Sequence, residues 1–176
     1  LKAWSGGMRQ RLGIAQALAG DPQLIIVDEP TAGLDPEERR RFYRLLAELS
    51  AGRTVLLSTH IVEDVSVLCS RFAVIRSGRV LCETTPGDAR KAIRGRIFAG
   101  TVDGGGYEAL VSSHRVLQAL PREGRSHVRL YEAGDAPPSG FEPAEPTLED
   151  AYLVMMQEAQ AGLASPVPAA RRAEPA

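Results

Sequence analysis

The segment Leu24-Ile25-Ile26-Val27-Asp28-Glu29-Pro30-Thr31-Ala32-Gly33-Leu34-Asp35 constrains the chain more than any other. Its opening apolar run, mostly β-branched and without polar alternation, predicts a strand buried on both faces, the habit of a parallel sheet inside an α/β domain. Two acids end the run. The carboxyl end of a buried parallel strand is where open α/β sheets bind ligands, and an aspartate there holds magnesium in nucleotide-hydrolysing folds. The same pair also suits a bare strand end, because short hydrophobic-Asp-Glu patterns arise by chance. The flanking segments have to decide.

Upstream, Trp4-Ser5-Gly6-Gly7 leads into a segment whose apolar positions Met8, Leu12, Ala15, Leu18 and Ala19 have helical spacing. Ser5 suits an N-cap, the glycines allow close backbone approach, and such a helix start attracts anions. Gly20-Asp21-Pro22 ends this helix. Downstream, Asp35-Pro36-Glu37-Glu38 predicts a capped helix start, with Glu38 reaching back to the cap amide. Phe42, Leu45, Leu46 and Leu49 mark that helix's buried face, and Arg39, Arg40, Arg41 and Arg44 spread over a solvated arc. Thr54–Leu57 reads as a second buried strand. The order helix, strand, helix, strand implies parallel pairing through a right-handed crossover. Ser58-Thr59-His60 then falls on the same rim as Asp28 and Glu29, within reach of the acids, although a histidine opening a helix also serves as a cap or packing residue. The helix that follows, Ile61 to about Cys69, is expected to turn Ile61, Val65 and Leu68 inward.

The chain has 176 residues, enough for one ordinary domain with an appendage. A formal charge of -1 gives no general attraction for nucleic acid or anionic lipid. Two cysteines, Cys69 and Cys82, are too few and too far apart for a disulfide framework or metal knuckle. They read as packing residues in a reducing cytoplasm. No apolar run approaches the roughly 18 residues of a membrane span, so service to a membrane is expected to run through a partner. Leu1 opens no signal sequence, and the first residues already belong to a motif, from which an amino-terminal truncation is expected.

Further on, Arg71–Arg76 and Arg79–Thr84 alternate around Ser77-Gly78, a hairpin signal. Asp88–Ile93 predicts a short helix and Arg96–Val102 a strand. Gly104-Gly105-Gly106 reads as a linker, since no Gly-Lys-Ser/Thr follows to make a phosphate loop. Tyr107–Leu120 is weakly helical or mixed, His127–Tyr131 a strand, and 136–146 a proline-rich connection. Thr147-Leu148-Glu149-Asp150 caps a helix running to about Gln160, and disorder is expected from Gly162 onward.

In order and spacing, Ser5-Gly6-Gly7 before a helix, an apolar strand ending in Asp28-Glu29-Pro30, Gly33-Leu34-Asp35 at the next helix and His60 after the next strand resemble the ATP-binding subunits of ABC transporters. In that family these are the signature sequence, the Walker B strand with its catalytic glutamate, the D-loop and the switch histidine. Ser5-Gly6-Gly7-Met8 and Glu145–Tyr152 are similar to forms found in subunits that serve ABC-2 type exporters. The resemblance implies an α/β fold: residues 1–87 as the carboxyl half of a P-loop NTPase domain with parallel core strands, 88–160 as a small α+β accessory domain, and 161–176 as a disordered tail.

It also implies ATP and Mg²⁺ as ligands. Asp28 would hold the metal through its water shell, with Glu29 and His60 as catalytic residues. Ser5, Gly6 and Gly7 would donate to ATP held by the opposite subunit of a head-to-tail dimer, and Asp35 would contact the facing subunit. The implied partners are that second ATP-binding subunit and transmembrane permease subunits at the inner face of the cell membrane, with no nucleic acid. The chain has no Gly-Lys-Ser/Thr loop, its only lysines being Lys2 and Lys91, so residues 1–176 alone are expected neither to bind ATP tightly nor to hydrolyse it. Two other readings stay open: a soluble ABC ATPase of repair or translation, and a non-catalytic remnant that only docks a partner. Nothing in the sequence names a transported substrate.

Overall fold

The structure is a computed structural model and describes residues 6–134, 137–163 and 165–167. It divides into two compact units, Leu1–Cys69 and Ser70–Ala176. The α/β reading holds. In the first unit, α1 (Gly6–Leu18), β1 (Leu24–Asp28), α2 (Pro36–Leu49), β2 (Thr54–Ser58) and α3 (Val62–Leu68) follow in order. β1 and β2 pair in parallel, from Leu24 opposite Thr54 to Asp28 opposite Ser58. Proline at its first position and an Asp35 cap start α2: the Asp35 carboxylate accepts from the amides of Glu37 (2.9 Å) and Glu38 (2.8 Å). Phe42 and Leu46 of α2 pack with Ile14 of α1 and with Val55 and Leu57 of β2. Each such buried side chain contributes about 2 kcal/mol through removal from water.

Three expectations for this unit are corrected. β1 is not buried on both faces: Ile25 is 2% exposed, but Leu24 and Ile26 are 51% and 67% exposed, and Leu56 beside them is exposed too. A continuous apolar run signals two covered faces, whereas among the described residues only one face of this pair is packed. α1 buries Ile14 rather than the stripe through Ala15 and Ala19, because the Ile14–Leu18 edge is the one that meets the α2 cluster. α3 starts one residue later than expected, with Ile61 at its cap, and its fully buried residue is Asp64.

The second unit opens with a hairpin, β3 (Phe72–Arg76) and β4 (Arg79–Thr84). Ser77 and Gly78 both have positive φ (49° and 73°), the two-residue turn that matches strand twist. There follow α4 (Pro86–Ala92), β5 (Ile97–Val102), α5 (Gly104–Ser113), β6 (Arg115–Arg122), β7 (Arg125–Tyr131), β8 (Phe141–Pro143) and α6 (Leu148–Ala161). The four later strands form an antiparallel sheet in the order β6-β7-β5-β8. The unit begins ahead of the boundary expected at residue 87. Its hairpin belongs here because Cys82 donates to Met155 Sδ (3.1 Å) and Arg76 to the Met156 carbonyl (2.9 Å), both on α6. Burial raises the Cys82 thiol above its ordinary value, in keeping with a packing role.

The glycine triplet is not a linker. It forms the first turn of α5, where the Asp103 carboxylate accepts from the Gly106 amide at 2.9 Å. Likewise β8 emerges from the proline-rich connection, pairing with β5 from Phe98 opposite Pro143 to Gly100 opposite Phe141. α6 begins with a full capping box between Thr147 and Asp150 and ends at Gly162, in the left-handed conformation. Of the tail expected to be disordered, Ala161 still belongs to α6 and Val167 is 2% exposed, while 164 and 168–176 lie outside the described residues.

Gly100 is a point of close approach. A Cβ there would lie 2.7 Å from the Phe141 ring and 2.9 Å from the Gly140 carbonyl oxygen. Gly100→Ala is expected to cost about 2 kcal/mol by overpacking, read as a lower urea midpoint for the second unit. An unchanged midpoint would mean that β8 yields freely.

Candidate active site

The register of β1 and β2 brings their carboxyl ends level. Ser58 Oγ donates to Asp28 Oδ1 across the pair, and the Glu29 amide donates to the Ser58 carbonyl at 2.9 Å, extending the ladder one residue past the strand. Glu29 itself has φ 44°, a left-handed conformation that costs an ordinary side chain about 1–3 kcal/mol. The chain then turns tightly, the Ala32 amide donating to the Glu29 carbonyl (3.2 Å) and Leu34 to Thr31 (3.2 Å), with Gly33 also at positive φ. His60 follows β2 by two residues, and its Nδ1 lies 2.8 Å from Glu29 Oε1. Glu29 Oε2 is enclosed and has no hydrogen-bond partner among the described residues.

Asp28, Glu29 and His60 are therefore brought together, with Ser58 between them. Among the described residues no group of three or more His, Cys, Asp or Glu could form a metal cage. Magnesium does not require one, since it commonly takes one or two carboxylates and completes its shell with water and substrate phosphates. The Asp28 carboxylate with the Ser58 hydroxyl beside it fits that mode.

Asp35, Gly6 and Gly7 are placed differently. Asp35 caps α2, and a Cβ on Gly7 would lie 2.6 Å from the Glu38 carboxylate one turn along that helix. The Glu38 carboxylate thus lies against the start of α1 and would have to swing aside for a side chain at residue 7. Gly6 is the first residue of α1, and Ser5 lies outside the described residues. Among the described residues, neither Gly7 nor Asp35 makes a hydrogen bond or ion pair with Glu29 or His60.

Sequence reasoning missed a buried polar knot beneath the pair. Asp64, fully buried, accepts from the hydroxyls of Thr31 (also fully buried), Thr59 (3.1 Å) and Tyr43 (2.6 Å). Burial, together with the Asp64 carboxylate, pushes the Tyr43 phenol well above its ordinary value. A signal for Asp64 was available: residues 61, 64, 65 and 68 form one helical stripe, and an acid on an apolar stripe is a buried acid.

An acid pair at the end of a parallel strand, joined to a histidine at the end of its neighbour, lies on the rim where open α/β sheets bind ligands. Comparison with known proteins gives the following likenesses. Residues 3–63 match a family model described as AAA domain, putative AbiEii toxin, Type IV TA system. The chain is 52% identical over 83 residues to the Nod factor export ATP-binding protein I of Cupriavidus metallidurans, covering 47% of this chain and 27% of that protein. The protein of the same name from Rhizobium johnstonii is 51% identical over 83 residues, with the same coverage, and that from Rhizobium etli 47% identical over 85 residues, covering 48% of this chain and 27% of that protein. A solved structure of the ATP binding subunit of an ABC transporter is 36% identical, with a TM-score of 0.46, covering 51% of this chain and 38% of that one. Over about half its length the chain is thus similar to export ATP-binding proteins, and it spans about a quarter of the length of these curated relatives.

Proposed function

We propose that these residues belong to an ATP-hydrolysing subunit that powers an ABC exporter. The contact between His60 and Glu29 at 2.8 Å, beside the Asp28–Ser58 hydrogen bond on one strand rim, carries this reading. Asp28 would hold Mg²⁺ through water, and the ion would neutralise phosphate charge. Glu29 orients a water and takes its proton as the γ-phosphate is attacked. His60, with Nδ1 turned to Glu29, presents Nε2 to that phosphate and stabilises charge in the transition state. Ser5, Gly6 and Gly7 donate to ATP held by a facing subunit, which Asp35 also contacts. Permease subunits hold the pair at the inner face of the membrane; among the described residues no helix is long and apolar enough to cross it. Residues 88–160, the larger part of the second unit, serve as an accessory region.

The phosphates need a Gly-Lys-Ser/Thr loop that residues 1–176 do not contain. Calorimetric titration of magnesium-ATP into this chain alone is expected to show no binding in the micromolar range, and no phosphate release. Micromolar affinity would overturn the assignment of nucleotide binding to a shared site.

A further inference from the structure

We infer that Asp64 is a positioning residue that sets the distance between Glu29 and His60. The inference rests on the reading of those two as the catalytic pair. Each sits on a short loop, and each loop is tied to the same oxygen. Thr31, two residues after Glu29, donates to Asp64 Oδ2, and so does Thr59, immediately before His60, at 3.1 Å. Tyr43 of α2 donates to the other oxygen at 2.6 Å, so the carboxylate is fixed from a third element. Its own backbone closes the loop: the Asp64 amide donates to the Ile61 carbonyl (3.1 Å), and the Ile61 amide to Thr59 Oγ1 (3.0 Å).

Stability alone does not account for this arrangement. A carboxylate buried to zero exposure is costly to desolvate, and an apolar side chain on the same stripe would pack at no such cost. What an apolar residue cannot do is bind two loops to one atom. His60 is largely exposed and does not hold its own place by packing, and Glu29 sits in a strained left-handed conformation. Their contact depends on where the two threonines put the loops. Proton transfer and phosphate contact are sensitive to displacements of about 1 Å, which cost up to roughly 100-fold in rate.

The test is made in the complete protein in its transporter complex, with turnover expressed per ATP-binding site. Asp64→Ala is expected to lower kcat about tenfold with KM for ATP within about twofold, because Asp64 touches no substrate. In a His60→Ala background the same change is expected to lower kcat by less than about twofold, since the contact it maintains is already gone. Thr59→Val, which cuts one tie and keeps the side-chain shape, carries the same comparison if Asp64→Ala does not fold. Equal losses in both backgrounds, or an unchanged kcat, would overturn the positioning role. Wild-type turnover in Glu29→Gln would instead overturn the catalytic reading itself, so the two failures are distinguishable.

Discussion

Glu29→Gln in the complete protein is expected to lower ATP turnover by about 100- to 10,000-fold while leaving magnesium-ATP binding within about twofold, the range set by loss of a general base. Glutamine keeps the size of the side chain and can still face His60 Nδ1, which lies 2.8 Å from Glu29 Oε1. It cannot take a proton from water. Asp28 stays with Ser58 on the neighbouring position, so the group proposed to hold the metal is undisturbed. Single-turnover hydrolysis beside equilibrium nucleotide binding separates the two effects. A variant that loses binding and turnover together would place Glu29 among the ligand-holding residues, and one that keeps full turnover would remove it from the chemistry.

What the residues disclosed in advance follows the range of the forces involved. The β1–α2–β2 core was legible because each cue is local: a β-branched run, an Asp-Pro helix start, a second apolar run. The Glu29–His60 contact was expected as mutual reach only, because its geometry depends on an in-register pairing that no local cue fixes. Exposure of Ile26 was not legible, since burial belongs to what covers a strand rather than to the strand. The glycines at 104–106 were misread because flexibility argued for a linker, while one hydrogen bond from Asp103 starts a helix there. The unit boundary at Cys69 rests on Cys82 meeting Met155, a contact between residues far apart in the chain. Asp64 lay between these cases. Its stripe position was readable, but its three hydroxyl partners come from three other segments.

Arg129→Ala is expected to destabilise the second unit by about 3 kcal/mol, at the low end for breaking a buried pair because the guanidinium is partly exposed. Its midpoint should fall by roughly 12–24 °C, given about 4–8 °C per kcal/mol for a unit of this size. Arg129 on β7 meets Asp150 in the first turn of α6 through two nearly parallel bonds, Nε to Oδ1 at 2.9 Å and Nη2 to Oδ2 at 2.6 Å. The Asp150 side chain is only 3% exposed and also accepts from the Thr147 amide and hydroxyl. Burial by itself would raise the Asp150 carboxyl, but the hydrogen bonds from Arg129 and Thr147 outweigh it and hold the group below its ordinary value. The folded state therefore binds this proton more weakly than the unfolded chain does. Its contribution to stability is complete above about pH 4, the unfolded value, and is lost as pH falls through the lowered folded value. Removing Arg129 withdraws the largest of the lowering influences, so the variant should be less stable at neutral pH yet lose less additional stability in acid. Urea unfolding of both proteins at pH 7 and pH 3 measures this. Parallel losses of stability at the two pH values would show that Arg129 acts through packing of its stem on β7 and not through the Asp150 carboxylate.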